Sequence, residues 1–305
     1  MAGQATNGWA VPSPAGVPTI AVGNQKGGTG KTTATINLSA SLAQGGNSVL
    51  AIDMDPQGDL TNGLGLGEAP DDEPENPKHD LPNVTETDDA NLLDLLADHR
   101  RAEDVPIEDL IIHQDDYEHL SYDLVPSHAD MSLARDWMAK SNSRDALKKE
   151  LEAMTERGVE YDYIVIDCPP DLSVLTDAAF IAARNVLIAA QTHATSRNAL
   201  DQLIEQVEEV EELDDTEMAI VGLFANMYRQ DGQSAKFLEK FEDEWEARVP
   251  FFKLNMAVAI QRAWDNGQDI YTWEDTNDQS TERETFAEMA DGVKEAFGQL
   301  QPKEA

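Results

Sequence analysis

The sequence predicts a doubly wound α/β domain, a mostly parallel sheet with helices on both faces. Three observations carry that prediction. Short β-branched runs alternate with helical patterns along the chain. The runs are near-continuously apolar, as in Tyr163-Ile164-Val165-Ile166, and polar or glycine-rich turns follow them. Strands that are apolar throughout suit burial on both faces, which a parallel sheet covered by helices provides. Alternation of strand and helix selects the α/β class. At 305 residues and 41% apolar content, the chain is long enough for one large domain.

The elements follow in order. Residues 1–16 are rich in Gly, Pro and Ser, with no basic start or apolar h-region, and read as a flexible tail rather than a signal peptide. The domain proper is expected over residues 17–298, with a short tail at 299–305. Val17–Gly23 is the first strand, followed by a glycine loop and the helical stretch Lys31–Gln44. Ser48–Asp53 is the second strand. Residues 68–90 break the rhythm: Asp71-Asp72-Glu73-Pro74-Glu75 has little to bury, so an acidic mobile loop is expected. Tyr122–Pro126, Tyr161–Asp167, Asn185–Gln191 and Met218–Ala225 complete the strand set. Leu200–Glu217 carries Leu203, Val207 and Val210 at helical spacing with glutamates between, a core-facing helix with a solvated acidic side. Thr281–Leu300 carries Phe286, Met289, Ala290, Val293 and Phe297 in the same manner.

Charge bounds the setting. There are 59 acidic residues against 22 basic ones, a formal net charge of −37, spread over nearly every segment. Such a surface repels itself at low ionic strength. At molar salt the Debye length falls to about 3 Å and most of that penalty goes. The composition therefore points to a cytoplasmic protein of a halophile that accumulates salt. No apolar run reaches the roughly 18–20 residues needed to cross a bilayer. Cys168 is the single cysteine, so no intrachain disulfide forms and a reducing compartment follows. The histidines are scattered and no His/Cys cluster suggests a metal centre.

The glycine loop carries the strongest chemistry. Gly23-Asn24-Gln25-Lys26-Gly27-Gly28-Thr29-Gly30-Lys31-Thr32-Thr33 lies between a strand and a helix. Glycines let backbone N–H groups turn toward phosphate oxygens, and the helix N-terminus adds positive potential. Lys31 reaches the β- and γ-phosphates of a nucleotide in such a loop, and the Thr32 hydroxyl ligates Mg²⁺. Thr33 is placed to hydrogen-bond the α-phosphate. Gln25 stands where the strict P-loop pattern has its first glycine. Lys26 is a second lysine, costly there unless an anion neutralises it, and since the loop already has Lys31 for its own nucleotide, Lys26 can serve a second one.

Two acidic segments follow. Ser48–Asp53 leads into Asp53-Met54-Asp55-Pro56-Gln57-Gly58-Asp59, and carboxylates beyond a strand's C-terminal end lie where α/β proteins bind ligands. Tyr161-Asp162-Tyr163-Ile164-Val165-Ile166-Asp167-Cys168-Pro169-Pro170 has the Walker B pattern, in which Asp167 holds Mg²⁺ through a water.

These motifs together resemble the ParA/MinD superfamily, whose deviant Walker A motif is matched by Lys26-Gly27-Gly28-Thr29-Gly30-Lys31-Thr32-Thr33. Asn24-Gln25-Lys26 brings the loop closer to the ParA/Soj branch, in which Gln commonly replaces the first glycine. The segment from Asp53 is similar to the family's switch I, with Asp59 in place of the usual Asn, and the segment ending in Cys168-Pro169-Pro170 is similar to its Walker B region. The resemblance covers roughly Thr19 to Phe297, leaving out residues 68–90 and both tails. It weakens after Ala225, where Asn226-Met227-Tyr228-Arg229 departs from the family pattern. It implies a P-loop ATPase fold and a Mg²⁺-dependent ATPase in which two ATP molecules are sandwiched in a homodimer. Lys26 then crosses to the partner's ATP, Asp55 orients the attacking water, Asp53 supports the site, and Asn226 sits where adenine contacts are expected. Cys168 fits the family pattern, without a redox or nucleophilic role.

The resemblance also implies a function, chromosome or plasmid partition through ATP-dependent, non-specific DNA binding, with a ParB-like activating partner. Candidate DNA contacts are Arg229, Lys236, Lys240, Lys253 and Arg262. A membrane role like that of the MinD branch is disfavoured, because Glu282, Glu284, Glu288, Asp291 and Glu295 line the other face of the last helix and anionic lipids repel them. Positioning of a protein cargo is the alternative use of the same engine. A small-molecule ATP-using enzyme of this fold is a further one, for which no acceptor motif is present.

Overall fold

The structure, a computed structural model, describes residues 9–67, 83–85, 90–96, 105–141, 143–191, 196–228, 238–239, 242–243, 245, 248–255, 258–274 and 279–298. Seven runs form strands: β1 (Thr19–Gly23), β2 (Val49–Asp53), β3 (Asp123–Val125), β4 (Tyr163–Asp167), β5 (Asn185–Gln191), β6 (Ala219–Tyr228) and β7 (Phe251–Asn255). All pair in parallel, in the order β3-β2-β4-β1-β5-β6-β7. Among the described residues the α-helices include α1 (Lys31–Gln44), α2 (Asp59–Gly63), α3 (Leu92–Leu96), α4 (Ala134–Ser141), α5 (Ala146–Glu156), α6 (Val174–Ala183), α7 (Ser196–Asp214), α8 (Val258–Asp265) and α9 (Ser280–Gly298), beside short 3-10 turns such as Ala129–Leu133.

Alternation along each strand feeds two cores. Ala21, Leu50, Ile52, Ile164, Ile166, Val186 and Ile188 face a layer built from α3 to α7. Ile20, Val22, Val49, Ala51, Val165, Leu187 and Ala189 face α1, α8 and α9. Both faces are covered, which is why the strands read as unbroken apolar runs. Helix α1 is buried along most of its length, with small residues such as Ala34, Ser39 and Ala40 against its neighbours. Helix α9 buries Phe286, Met289, Ala290, Val293, Ala296 and Phe297, the face expected from its spacing.

The N-terminal segment departs from expectation. Residues 1–8 lie outside the described residues, but residues 9–16, expected within a flexible tail, are packed. Ala10, Val11, Ser13 and Ala15 are buried. The side chain of Asn185, itself fully buried, accepts from the Val11 N–H at 2.8 Å and donates to the Val11 carbonyl at 3.0 Å. Ser13 donates to the Ala183 carbonyl at 3.0 Å. A buried amide that satisfies a passing backbone holds the segment down despite its Gly/Pro/Ser composition.

Most of the acidic loop expected over 68–90, and the tail 299–305, lie outside the described residues. Within the former, the Val84 N–H donates to the Leu66 carbonyl at 2.8 Å, and the Thr85 carbonyl accepts from Ala129 at 2.9 Å. Strand β7 and helix α8 were not expected from the sequence. Among the described residues no helix is long and apolar enough to cross a membrane.

Candidate functional site

Strands β2, β4 and β1 are neighbours, and their C-terminal ends are level: Asp53 and Val22 both pair in register with Asp167. The segments leaving these three strands therefore meet at one edge of the sheet, and each carries one of the sequence motifs.

The glycine loop leaves β1. Lys26, Gly27 and Gly28 are exposed at its tip, whereas Thr29 and Lys31 are buried. Gly28 and Gly30 have φ of 71° and 92°, a region that L side chains rarely adopt. The Lys26 N–H donates to Asn24 Oδ1 at 3.0 Å, and Thr29 donates to the Lys26 carbonyl at 3.3 Å. Two side chains brace the loop from the next strands: Gln191, at the end of β5, donates to the Gly28 carbonyl, and Asn226, opposite it on β6, donates to the Thr29 carbonyl at 3.4 Å. Asn226 is buried against the loop.

Under the loop, the Thr32 hydroxyl donates to Asp167 Oδ2 at 2.7 Å. Thr35, one helical turn on, donates to Asp167 Oδ1 at 3.1 Å. Asp167 has no exposed surface, and burial pushes its carboxyl up to about 7, with the Thr32 hydrogen bond and the Lys31 charge pulling it down. A buried carboxylate in that condition is one a cation would stabilise. The hydroxyl and carboxylate oxygens are hard donors, as Mg²⁺ requires, and beside phosphates that ion needs only one or two protein carboxylates. Among the described residues no group of three or more His, Cys, Asp or Glu side chains forms a metal cage. The residues present thus fit Mg²⁺ held jointly with a phosphate.

The segment leaving β2 is clasped from within. Asp53 Oδ2 accepts from the Thr61 N–H at 2.8 Å and the Thr61 hydroxyl at 2.7 Å, and Oδ1 accepts from the Asp55 N–H at 3.2 Å. Burial drives the Asp53 carboxyl well above the usual carboxylate range, with the Asp167 charge adding to it. Its neighbour Asp55 is 4% exposed, and its Oδ1 accepts from the Gln57 N–H at 3.0 Å. Burial raises the Asp55 carboxyl too, while the Gln57 N–H and the Lys31 and Arg135 charges oppose the rise. Ser127, beyond β3, donates its hydroxyl to the Asp55 carbonyl at 2.7 Å. Buried carboxylates around one buried ammonium make a site whose charge balance is completed by further cations.

A family model described as an AAA domain matches residues 17–220. The chain is 35% identical over 257 residues to the sporulation initiation inhibitor protein Soj of Bacillus subtilis, covering 84% of this chain and 90% of Soj. The chain belongs to the ParA/MinD family of ATPases. It is also 34% identical over 226 residues to the chromosome partitioning protein ParA of Myxococcus xanthus, covering 74% of this chain and 69% of ParA. Among solved structures, the ATP complex of an aspartate-to-alanine variant of McdA from Cyanothece superposes with a TM-score of 0.71 at 24% identity, covering 94% of this chain and 99% of McdA. That neighbour bears on the fold, which is the expected P-loop α/β architecture of ParA/MinD ATPases.

Sequence reasoning missed several residues of this ParA/MinD site. Thr35 is one of them, although its place one turn after Thr32 on the same helix is a signal that could have found it. Thr61 closes back on Asp53 from eight residues along the same segment, outside the motif itself, whereas Ser127, Arg135 and Gln191 reach the site from distant segments. Of the candidate DNA contacts, Arg229, Lys236 and Lys240 lie outside the described residues. Lys253 sits on β7 and pairs with Glu242, and Arg262 is in the last turn of α8.

Proposed function

We propose that this chain is a partition or positioning ATPase that binds ATP with Mg²⁺, dimerises across the bound nucleotides and hydrolyses ATP to ADP and phosphate. One observation carries the reading: Thr32 and Asp167 meet at 2.7 Å beneath a glycine loop whose Lys31 is buried beside them. Thr32 and Asp167 hold the metal, which when bound neutralises charge on the phosphate oxygens. Backbone N–H groups from Gly27 to Thr33 receive the phosphates, Lys31 contacts the β- and γ-phosphates, and Thr33 contacts the α-phosphate. Asp55 orients the attacking water, and Asp53 holds the Asp55 segment in place through Thr61. Phosphoryl transfer asks the protein for positioning and electrostatics rather than covalent help, and these residues supply both. Lys26, exposed at the loop tip, reaches the nucleotide of the second copy. Asn226 contributes near the adenine.

The relative named for chromosome partitioning supports DNA as the cargo. To this the reading adds what the family resemblance implies, non-specific binding to the nucleoid in the cytoplasm and a ParB-like protein as activator. Phosphate release measured at multimolar KCl tests the engine. The wild type is expected to turn over ATP only with Mg²⁺, Lys31→Ala to lose nucleotide binding, and Asp55→Ala to bind ATP and form a long-lived dimer. No Mg²⁺-dependent turnover by the wild type at any salt concentration would end the reading. Light scattering with ATP tests the sandwich separately: Lys26→Ala should bind ATP as a monomer, and a normal dimer from that variant would refute it.

A further inference from the structure

One guanidinium at this edge of the sheet has no role in the scheme above. Arg135 stands in the first turn of α4 and pairs through Nη2 with Oδ2 of Asp171. Asp171 lies in the loop that carries the chain away from β4, just beyond Asp167 and the two prolines. Its Oδ1 is shut away from solvent without a hydrogen-bond partner, and its main-chain carbonyl accepts from the Thr176 hydroxyl at 2.8 Å. The guanidinium therefore compensates a carboxylate half cut off from water, so losing it costs more than losing an ordinary surface pair.

The same stretch of chain is tied to the opposite loop. Ser127 donates its hydroxyl to the Asp55 carbonyl at 2.7 Å, and its N–H donates to the Thr61 hydroxyl oxygen at 3.0 Å. Between Ser127 and Arg135 the chain turns tightly through Ala129–Leu133, with Met131 fully buried as an anchor. A short, anchored segment thus joins the Asp55 loop at one end to the loop behind Asp167 at the other. Burial raises the Asp55 carboxyl, and the Arg135 charge, reaching it through space, opposes part of that rise.

We propose that Arg135 is a positioning residue that, through Asp171, locks the loop after β4 to the loop after β2 and so fixes Asp55 relative to Asp167. This rests on the ATPase reading of the site and deepens it. Phosphoryl transfer is sensitive to the placement of the water and the metal side chains, and a displacement of about 1 Å lowers rates by one to two orders of magnitude. A lock between the two loops acts on the rate without touching the nucleotide.

The test has two arms and uses Arg135→Ala, Arg135→Lys, Asp171→Asn and the double variant Arg135→Ala/Asp171→Asn, which leaves no unpaired charge and so guards against misfolding. In nucleotide-free protein, amide hydrogen exchange at Asp55 and Gln57 should quicken in Asp171→Asn, although Asp171 is on another loop. It should quicken equally in Arg135→Ala, and no further in the double variant. In turnover, kcat should fall about tenfold in each single variant with KM for ATP held within about twofold, Arg135→Lys recovering part of the loss. Unchanged exchange and kcat in Arg135→Ala would overturn the proposal, as would losses that multiply in the double variant. If the wild type turns over no ATP, the ATPase reading falls, and the exchange arm alone decides whether Arg135 couples the loops.

Discussion

Replacing Gly30 by alanine should strike the nucleotide loop through two separable costs. The residue sits at φ 92°, so any L side chain there is strained by about 1–2 kcal/mol. An added Cβ would also overlap Nδ2 of Asn226 outright and stand 2.6 Å from its Cγ. Asn226 is only 4% exposed and has little room to swing aside. Forcing an extra carbon into such a place costs about 1–3 kcal/mol. Together the two terms give about 2–5 kcal/mol, or a Tm lower by roughly 5–15 °C for a domain of this size. Denaturant unfolding at fixed KCl reads the cost, and titration with ATP reads the loss of affinity. Asn226→Ala in the same chain isolates the steric part. Alone it gives up the 3.4 Å hydrogen bond to the Thr29 carbonyl, a term of about 0.5–1 kcal/mol. Added to Gly30→Ala, it should restore about 1–3 kcal/mol and leave the backbone strain in place. A Gly30→Ala protein within about 0.5 kcal/mol of wild type would refute this account, as would a double variant no more stable than the single.

Three further outcomes are expected. Arg157 donates twice to Glu108 and once to Glu150, each at 2.6 Å, and its hydrogen bond to Glu108 is the main reason that carboxyl sits below its ordinary range. A lowered folded-state pKa adds stability above the unfolded value near about 4.3, and that stability is lost as pH falls through the folded value. Arg157→Ala should therefore cost at most about 1 kcal/mol near neutrality, this pair being part-exposed, and nothing at the acid end of a urea-midpoint series against pH. Asn185→Ala removes the buried amide that pairs with Val11 and should cost about 2–4 kcal/mol, with proteolysis opening the chain between Trp9 and Gly16; an unchanged cleavage pattern would count against the latch. Raising KCl from 0.1 to 1 M shortens the Debye length from about 10 to about 3 Å and should raise Tm by several degrees, whereas a flat salt response would remove the halophilic reading.

Much of this architecture is legible in the sequence because it closes over short spans. Strand β5 is predicted at its observed limits, since apolar residues buried on both faces leave an unbroken run. The glycine loop, Asp55 and Asp167 are legible for the same reason: each motif is complete within a strand and the turn that follows it. Strand β7 is not. Phe251-Phe252-Lys253-Leu254-Asn255 follows a proline and has no β-branched residue, and pairing with β6 makes it a strand. The N-terminal segment is misread because its composition matches that of a tail, while the group that holds it, Asn185, is 174 residues away. Arg135 and Ser127 escape for that reason too, as their partners belong to other segments.

The burial of Cys168 has a practical outcome. The thiol is fully enclosed and burial pushes its pKa upward, so little reactive thiolate forms at neutral pH. With no other cysteine in the chain, maleimide dyes should ignore the native protein. One cysteine introduced on the surface then becomes a unique handle for spectroscopic probes, with no need to remove a background thiol first.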